Sequence, residues 1–171
     1  MTDATDVMAK QISQQLLTEE PILRIAYTGL DGGPRVIPIA YLWDGASFLM
    51  WTIPISAKVR ALRADPRVAI TIDILGPPPR VLLTRGSAQL ETVDGVPDGY
   101  LDASHRTMPP EAWEGFDDQV RALYEQMVAI TVRPDWAKLL DFETTAPSAV
   151  EQLVRERVSD NHRRDPRPGR H

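Results

Sequence analysis

The sequence contains no cysteine and only three histidines, and these shortages exclude several kinds of chemistry. Without cysteine the chain can form no disulfide bond, no thiolate metal site and no cysteine nucleophile. Two of the histidines, His162 and His171, fall in a polar C-terminal tail, so His105 stands alone in the part that is expected to fold. A histidine metal cluster or a Ser-His-Asp triad needs more partners than that. Metalloenzyme and hydrolase functions are therefore disfavoured.

The sequence also lacks long apolar runs and an excess of basic residues. No run approaches the roughly 20 apolar residues that a membrane-spanning helix requires. The first ten residues, MTDATDVMAK, show neither the basic start nor the apolar stretch of a signal peptide. A formal net charge of -5 gives no general attraction to nucleic acid or to an anionic membrane surface. We expect a cytoplasmic protein with no nucleic-acid partner and no membrane partner.

The length of the chain favours one domain followed by a C-terminal extension. With 171 residues, 43% of them hydrophobic, the chain can bury one substantial core. We place the domain at residues 1–147. Residues 148–171 are predicted to form a helix and a disordered tail, because the last dozen residues are polar and rich in proline. The helix is indicated by apolar residues at helical spacing, expected to pack on the domain or on a dimer partner: Val150, Leu153, Val154 and Val158.

Short β-strand patterns separated by turn signals dominate the rest of the sequence. Six segments are predicted as strands: Leu23–Thr28, Arg35–Trp43, Ser47–Thr52, Val68–Ile74, Val81–Glu91 and Val128–Arg133. Pro134–Phe142 is expected to add a further strand or an extension. The turn sequences GLDGGP and Asp44-Gly45 predict hairpins. Pro38 favours an edge or a bulge for its strand, and Gly86 indicates a bulge or a close approach of two backbones.

Helical patterns occur at three places among these strands. Asp6–Leu17 carries one apolar stripe, a short helix is expected to begin near Lys58, and Phe116–Met127 has apolar residues at helical spacing. Asp94–Pro110 is interpreted as a loop with a helical turn around Tyr100–His105. Since antiparallel strands with bare edges tend to close, the predicted class is mainly β with helices (α+β), a small barrel.

The stretch from Thr52 to Lys58 is the strongest candidate for a binding site. A helix N-terminus presents unpaired backbone N–H groups and a partial positive charge, which attract anions. A lysine and two hydroxyls, from Thr52 and Ser56, stand at such a start. The hydroxyls are also ordinary choices for a strand end and a helix cap, and the two roles are compatible. The pattern predicts a site for a phosphate monoester, which indicates a phosphorylated cofactor.

The order of these segments resembles the pyridoxamine 5'-phosphate oxidase-like split-barrel superfamily, whose members bind flavins or deazaflavins. The resemblance spans about Leu23 to Phe142. It is carried by a proline-bearing strand after a glycine-rich hairpin, an aromatic strand ending in Thr52, and a Ser-x-Lys helix start. An Asp-Pro-Arg-Val start of the next strand and a later Gly-Ser-Ala strand complete it.

This resemblance implies a six-stranded antiparallel split β-barrel, a homodimer with the cofactor at the subunit interface, and a small-molecule substrate. The implied cofactor is FMN, or alternatively the deazaflavin F420. Arg35, Val36, Ile37 and Pro38 would lie along the ring system, and Trp51 and Thr52 would border the ribityl chain. Ser56 and Lys58 would hold the phosphate, with Arg63 and Arg60 as additional basic groups on the same helix. By their bulk, Trp43 and Trp51 are better explained as core or dimer-interface aromatics than as stacking partners.

Two departures from the oxidase pattern favour a relative with another substrate or cofactor. Where the oxidase places an arginine before the lysine, this chain has Ala57, which removes a bidentate phosphate contact. The Arg-x-His pair that reads the oxidase's substrate is missing from TVRPDWAKLLDFE. The function expected is a flavin-dependent oxidoreductase of the split-barrel type. The alternative is a non-catalytic carrier or sensor that binds a flavin or haem.

One long irregular segment is a candidate for contacts with the substrate. The long segment Asp94–Gly115 is a candidate lid, because irregular segments of this length often carry function. His105, Arg106 and Trp113 within it are candidates to touch the substrate.

Overall fold

The computed structural model describes residues 4–74, 76–143 and 150–157. Its strands are β1 (Ile22–Thr28), β2 (Pro34–Ala40), β3 (Leu42–Trp43), β4 (Phe48–Thr52), β5 (Arg67–Ile74), β6 (Arg80–Asp94) and β7 (Gln126–Asp141). Its helices are α1 (Ala4–Met8), α2 (Gln11–Glu19), α3 (Ala57–Ala64), α4 (Asp98–His105), α5 (Trp113–Leu123) and α6 (150–157), with a 3₁₀ turn at Pro110–Ala112. All strand pairs are antiparallel and belong to one sheet in the order β2-β1-β5-β6-β7-β4-β3.

The sheet curls until its two edges meet at Tyr41. Strands β2 and β3 lie at opposite ends of the strand order, yet only Tyr41 separates them in the chain. Since consecutive Cα atoms are about 3.8 Å apart, the two edges come within about 8 Å of each other here. No ladder joins β2 to β3 among the described strands, so the structure is a barrel with a split. The predicted split-barrel class is confirmed.

The prediction of six strands is wrong by one because of the same residue. Arg35–Trp43 was expected as a single strand, but the chain leaves one edge of the sheet at Ala40 and joins the other edge at Leu42. Tyr41 is fully buried at the crossing. Its hydroxyl donates to the Leu17 carbonyl at 3.1 Å, and its own carbonyl accepts from Arg106 Nη1 at 2.8 Å. Burial raises the pKa of Tyr41 to about 12.

The last strand is longer than expected, and it bulges where the sequence indicates. Val128–Arg133 and the predicted extension form one strand, β7. Arg85 pairs with Trp136 but Gly86 pairs with Pro134, so Asp135 is the extra residue of a β-bulge. A Cβ on Gly86 would lie 2.6 Å from the Arg133 carbonyl oxygen, which only glycine avoids. The prediction for Gly86 is therefore confirmed, as is the edge position of Pro38 in β2.

Three helical predictions need correction. The helix expected over Phe116–Met127 is α5, which ends at Leu123 because Tyr124 is extended, and Met127 belongs to β7. The single helix over Asp6–Leu17 is broken into α1 and α2, since Lys10 adopts an extended conformation and Gln14 Nε2 donates to the Met8 carbonyl at the break. The segment Asp94–Pro110 is not a loop with one helical turn, because α4 occupies Asp98–His105.

Apolar residues form two clusters, one inside the barrel and one beneath α4 and α5. The second cluster contains Val96, Leu101, Val120 and Met127, and Trp51 packs against it. Gly99 permits that packing, because a Cβ there would lie 2.6 Å from the Trp51 ring. No helix in the described ranges is both long and apolar enough to cross a membrane.

Candidate functional site

Helix α3 begins without the usual means of satisfying its first backbone groups. Ser56 is the N-cap residue, but its hydroxyl makes no capping hydrogen bond, and no acidic residue stands in the first turn. In the described structure the backbone N–H groups of Ala57 and Lys58 find no acceptor. The helix start thus keeps its partial positive charge and its free donors, which is the arrangement that binds anions.

Lys58 adds a full positive charge to this helix start. Its Nζ donates to the buried hydroxyl of Thr52 at 3.0 Å, which fixes the amine at the junction of β4 and α3. Half-burial lowers the pKa of Lys58, and no carboxylate among the described residues offsets this effect. Because the amine is partly desolvated and has only a neutral partner, a bound anion would stabilise its charge.

A cavity of about 260 Å³ joins this helix to the β1–β2 hairpin. We call it the Arg35 cavity, and its lining residues are Tyr27, Gly29, Leu30, Asp31, Arg35, Ala57 and Ala61. Ala57 is the residue before Lys58, so the structure brings Arg35 of β2 close to the first turn of α3. These residues are more than twenty positions apart in the sequence.

Arg35 is held in the hairpin turn by Asp31. Its Nη2 lies 2.7 Å from Asp31 Oδ2, and the other oxygen of the carboxylate accepts from the Gly33 backbone N–H. These bonds lower the pKa of Asp31. The turn therefore presents a guanidinium whose charge is shared with an exposed carboxylate, in a fixed position at the mouth of the cavity.

The remaining β2 residues lie on an edge strand. β2 pairs with β1 alone, so one side of its backbone is not used by the sheet. Val36 and Pro38 are exposed, while Ile37 packs on the barrel core. An exposed edge with two apolar side chains is suited to a flat apolar ring, whose polar rim the free backbone groups could bond.

Comparison with known protein families identifies the family of this chain. The family described as pyridoxamine 5'-phosphate oxidase matches residues 9–141, which is most of the chain. The chain belongs to the pyridoxamine 5'-phosphate oxidase family. No curated protein matches it.

Several solved structures share the fold. An F420 reductase is 28% identical with a TM-score of 0.56, and the match covers 73% of this chain and 94% of that chain. A protein from Clostridium acetobutylicum related to general stress protein 26 is 13% identical, with a TM-score of 0.56 and coverage of 77% and 87%. A haem storage protein from Vibrio cholerae is 16% identical, with a TM-score of 0.53 and coverage of 75% and 90%. Solved structures with this fold thus carry different named functions.

Two residues suggested by the resemblance to this family lie away from the Lys58 amine. Arg63 is exposed in the last turn of α3, about 7–8 Å further along the helix axis than Lys58. Trp51 precedes Thr52, but its ring packs beneath α4 against Gly99. The structure therefore brings Thr52, Ser56 and Lys58 together, with Arg35 across the cavity. For Arg63 and Trp51 the contact with a cofactor stays a prediction.

The candidate lid, Asp94–Gly115, is a packed and largely helical segment. Arg106 donates to three backbone carbonyls, those of Tyr41, Thr18 and Glu20, at 2.8–3.0 Å. Its guanidinium is therefore committed to the fold. His105 stacks on Trp113 at 4.4 Å, and its Nε2 lies 2.7 Å from Asp117 Oδ1. Each of the three candidate substrate contacts has a structural partner.

A second concavity, which the sequence did not indicate, lies between the β4–α3 connection and the α5–β7 connection. We call it the Ile55 groove, a cavity of about 580 Å³ lined by Ile53, Pro54, Ile55, Leu123, Tyr124, Glu125 and Gln126. Its lining is mainly apolar, and Ile55 and Leu123 are 85% and 64% exposed. Its apolar residues belong to two segments that are distant in the sequence and show no periodic pattern, so only the folded structure reveals this surface. Nowhere in the described ranges do three or more His, Cys, Asp or Glu side chains gather as a metal site.

Proposed function

We propose that the chain is an oxidoreductase of the split-barrel type that binds a phosphorylated flavin or deazaflavin. The observation that carries the proposal is the half-buried Lys58 amine, which has no anionic partner in the described structure and stands beside a helix start with free N–H donors. These groups fit a phosphate. Membership of the pyridoxamine 5'-phosphate oxidase family supports a flavin-type ring attached to it.

F420 is the cofactor we favour, and FMN is the second candidate. The F420 reductase is 28% identical over 94% of its length. Ala57 stands where an oxidase of the family has a second basic group for the phosphate, so this chain has fewer charges for the doubly charged end of FMN. Lys58, Ser56 and the α3 N–H groups would hold the phosphate of either molecule.

The protein's own part in such a reaction is to bind the flavin or deazaflavin and to orient its ring. A flavin or deazaflavin supplies the hydride or electron chemistry when bound. Arg35 and the free edge of β2 would orient the ring, and Val36 and Pro38 would exclude water from one of its faces. We propose that a second protomer closes the other side, which makes the functional unit a homodimer and leaves room for a small-molecule substrate.

Binding and turnover are tested separately. Purified protein is titrated with F420 and with FMN, and the dissociation constants are measured by the change in fluorescence of each ring. We expect binding of at least one, with F420 preferred. The loaded protein is then mixed with a reductant and a panel of oxidised acceptors. Reoxidation by an acceptor identifies an enzyme, binding without reoxidation identifies a carrier, and the absence of binding to both rings refutes the proposal.

A further inference from the structure

We infer that α6 of one protomer docks in the Ile55 groove of a second copy of the chain. The first observation is the groove itself. Ile55 projects from the turn before α3 and Leu123 from the end of α5, and both are more than half exposed. A monomer rarely leaves side chains of this size open beside an apolar concavity unless a partner covers them.

The second observation is an apolar stripe of matching size on α6. Val150, Leu153 and Val154 lie on one face of the helix, at the i, i+3 and i+4 positions. Leu153 and Val154 are 57% and 56% exposed, so this face does not pack on its own protomer. The helix is about 12 Å long, and its stripe presents three aliphatic side chains to whatever covers it.

Charge fixes the direction in which the helix lies. Arg157 follows Val154 by three positions and Leu153 by four, so it extends the same face by one turn. Glu125 stands at the rim of the Ile55 groove. Neither side chain has an ionic partner within the described ranges. Seating the stripe against Ile55 and Leu123 with Arg157 toward Glu125 would satisfy both charges and bury both apolar faces.

The length of the connection favours a second copy over the same chain. The groove lies at the start of β7, beside Gln126, whereas the chain leaves β7 at Asp141. The strand between them is about 50 Å long when measured along its own path. The nine Cα–Cα steps from Asp141 to residue 150 reach at most about 30 Å. A connection laid back along its own strand therefore ends well short of its own groove.

Docking would place the partner's helix next to the candidate phosphate site. Ile55 is three residues before Lys58, so α6 of the partner would wall the outer flank of the segment that carries Thr52, Ser56 and Lys58. This inference needs a second protomer but no cofactor. Its failure can therefore be distinguished from the failure of the proposed flavin site.

The absence of native cysteine allows a direct test by cross-linking. Leu123→Cys and Leu153→Cys are prepared as separate full-length proteins of different mass, mixed, and oxidised. Both positions are exposed, so the fold tolerates the changes. We expect a covalent heterodimer that contains one chain of each kind. Gln152→Cys, which lies off the apolar stripe, is the matched control and is expected to cross-link to Leu123→Cys at least tenfold less.

Charge reversal gives an independent readout. Glu125→Arg and Arg157→Glu are each expected to weaken self-association at least tenfold in sedimentation experiments. An equal mixture of the two single variants should associate like the unaltered protein, because each groove then meets an opposite charge on the other chain. Arg155→Glu, off the stripe, is the control. The inference is overturned if the mixture fails to recover or if no heterodimer forms on oxidation.

Discussion

Replacing Lys58 by methionine is the sharpest test of the candidate phosphate site. Methionine keeps an unbranched apolar side chain, one atom shorter than that of lysine, and removes the charge. A hydrogen bond to a charged group is worth about 1.5–3 kcal/mol, while a fully exposed ion pair contributes about 0–1 kcal/mol. Lys58 is half-buried and is anchored by Thr52, so we expect a value between these limits. A loss of about 1–3 kcal/mol corresponds to a dissociation constant for FMN or F420 that is about 5–150 times larger.

Two arginines on the same helix supply matched controls. Arg60→Met and Arg63→Met remove the same charge from α3, but both side chains are exposed, and Arg63 lies in the last turn. We expect each change to cost less than about 0.5 kcal/mol of binding free energy. Titration of each variant with both ring molecules, followed by fluorescence, measures the difference. A Lys58→Met protein that binds within twofold of the unaltered chain, or an Arg63→Met protein that binds more weakly than Lys58→Met, would refute the assignment.

The pH dependence of binding offers a further check on Lys58. Burial lowers the pKa of this amine in the free protein, so its charge is lost at a lower pH than that of an ordinary lysine near 10.4. Affinity should therefore fall as the pH rises into this alkaline range, and the slope should be absent in Lys58→Met. The unfolding free energy of the free protein should change in the opposite direction over the same pH range. It should rise with pH, because the unfolded chain binds the Lys58 proton more tightly than the folded protein does.

Three other changes test the fold that positions the site. Tyr41→Phe should cost about 1 kcal/mol of unfolding free energy at pH 7, from the lost bond to Leu17. The pKa of Tyr41 is about 12 in the folded protein and about 10 in the unfolded chain. As the pH rises between those values, the unfolding free energy of the unaltered protein, measured with urea, should therefore fall by about 1–3 kcal/mol more than that of Tyr41→Phe. Gly86→Ala should destabilise by about 1–3 kcal/mol because its Cβ meets the Arg133 carbonyl, and a urea midpoint that does not move would contradict this. Arg106→Lys should lower the unfolding free energy by about 1–3 kcal/mol, since an ammonium cannot reach three carbonyls. The dissociation constant for the ring cofactor should not change. Weaker binding of the ring at equal stability would show that Arg106 has a role in the site.

The sequence predicts most strands of this protein because their signals are local. Alternating apolar residues and glycine-rich turns define β1, β4, β5 and β6 within a few residues. The hairpin at GLDGGP forms as expected, with Gly32 at positive φ and Asp31 bonded to Gly33. The Ser-x-Lys start of α3 is likewise a local signal, and the structure sets Thr52 and Lys58 in contact.

What the sequence could not reveal depends on contacts between distant segments. Nothing near Lys10 marks the break between α1 and α2, since neither glycine nor proline stands there. The helix at Asp98–His105 contains Gly99, a poor helix former, and is stabilised by packing on Trp51. The end of β2 at Ala40 is also invisible locally, because residues typical of strands continue after it as Tyr41, Leu42 and Trp43. The change of edge is fixed instead by the bonds of Tyr41 to Arg106 and Leu17.

Closure of the barrel at Tyr41 is also what assembles the candidate site. Lys58 follows β4, which is sixth in the strand order, whereas Arg35 belongs to β2, which is first. In an open sheet these strands would be separated by the four between them. Because the edges meet at Tyr41, α3 can leave β4, cross the split and pack on β1 beside β2, which sets Ala57 and Arg35 on one cavity. The split therefore leaves the edge of β2 unpaired and also brings the start of α3, which carries Lys58, close to that edge. Arg106 bonds the Tyr41 carbonyl and so helps to stabilise the closure on which this arrangement depends.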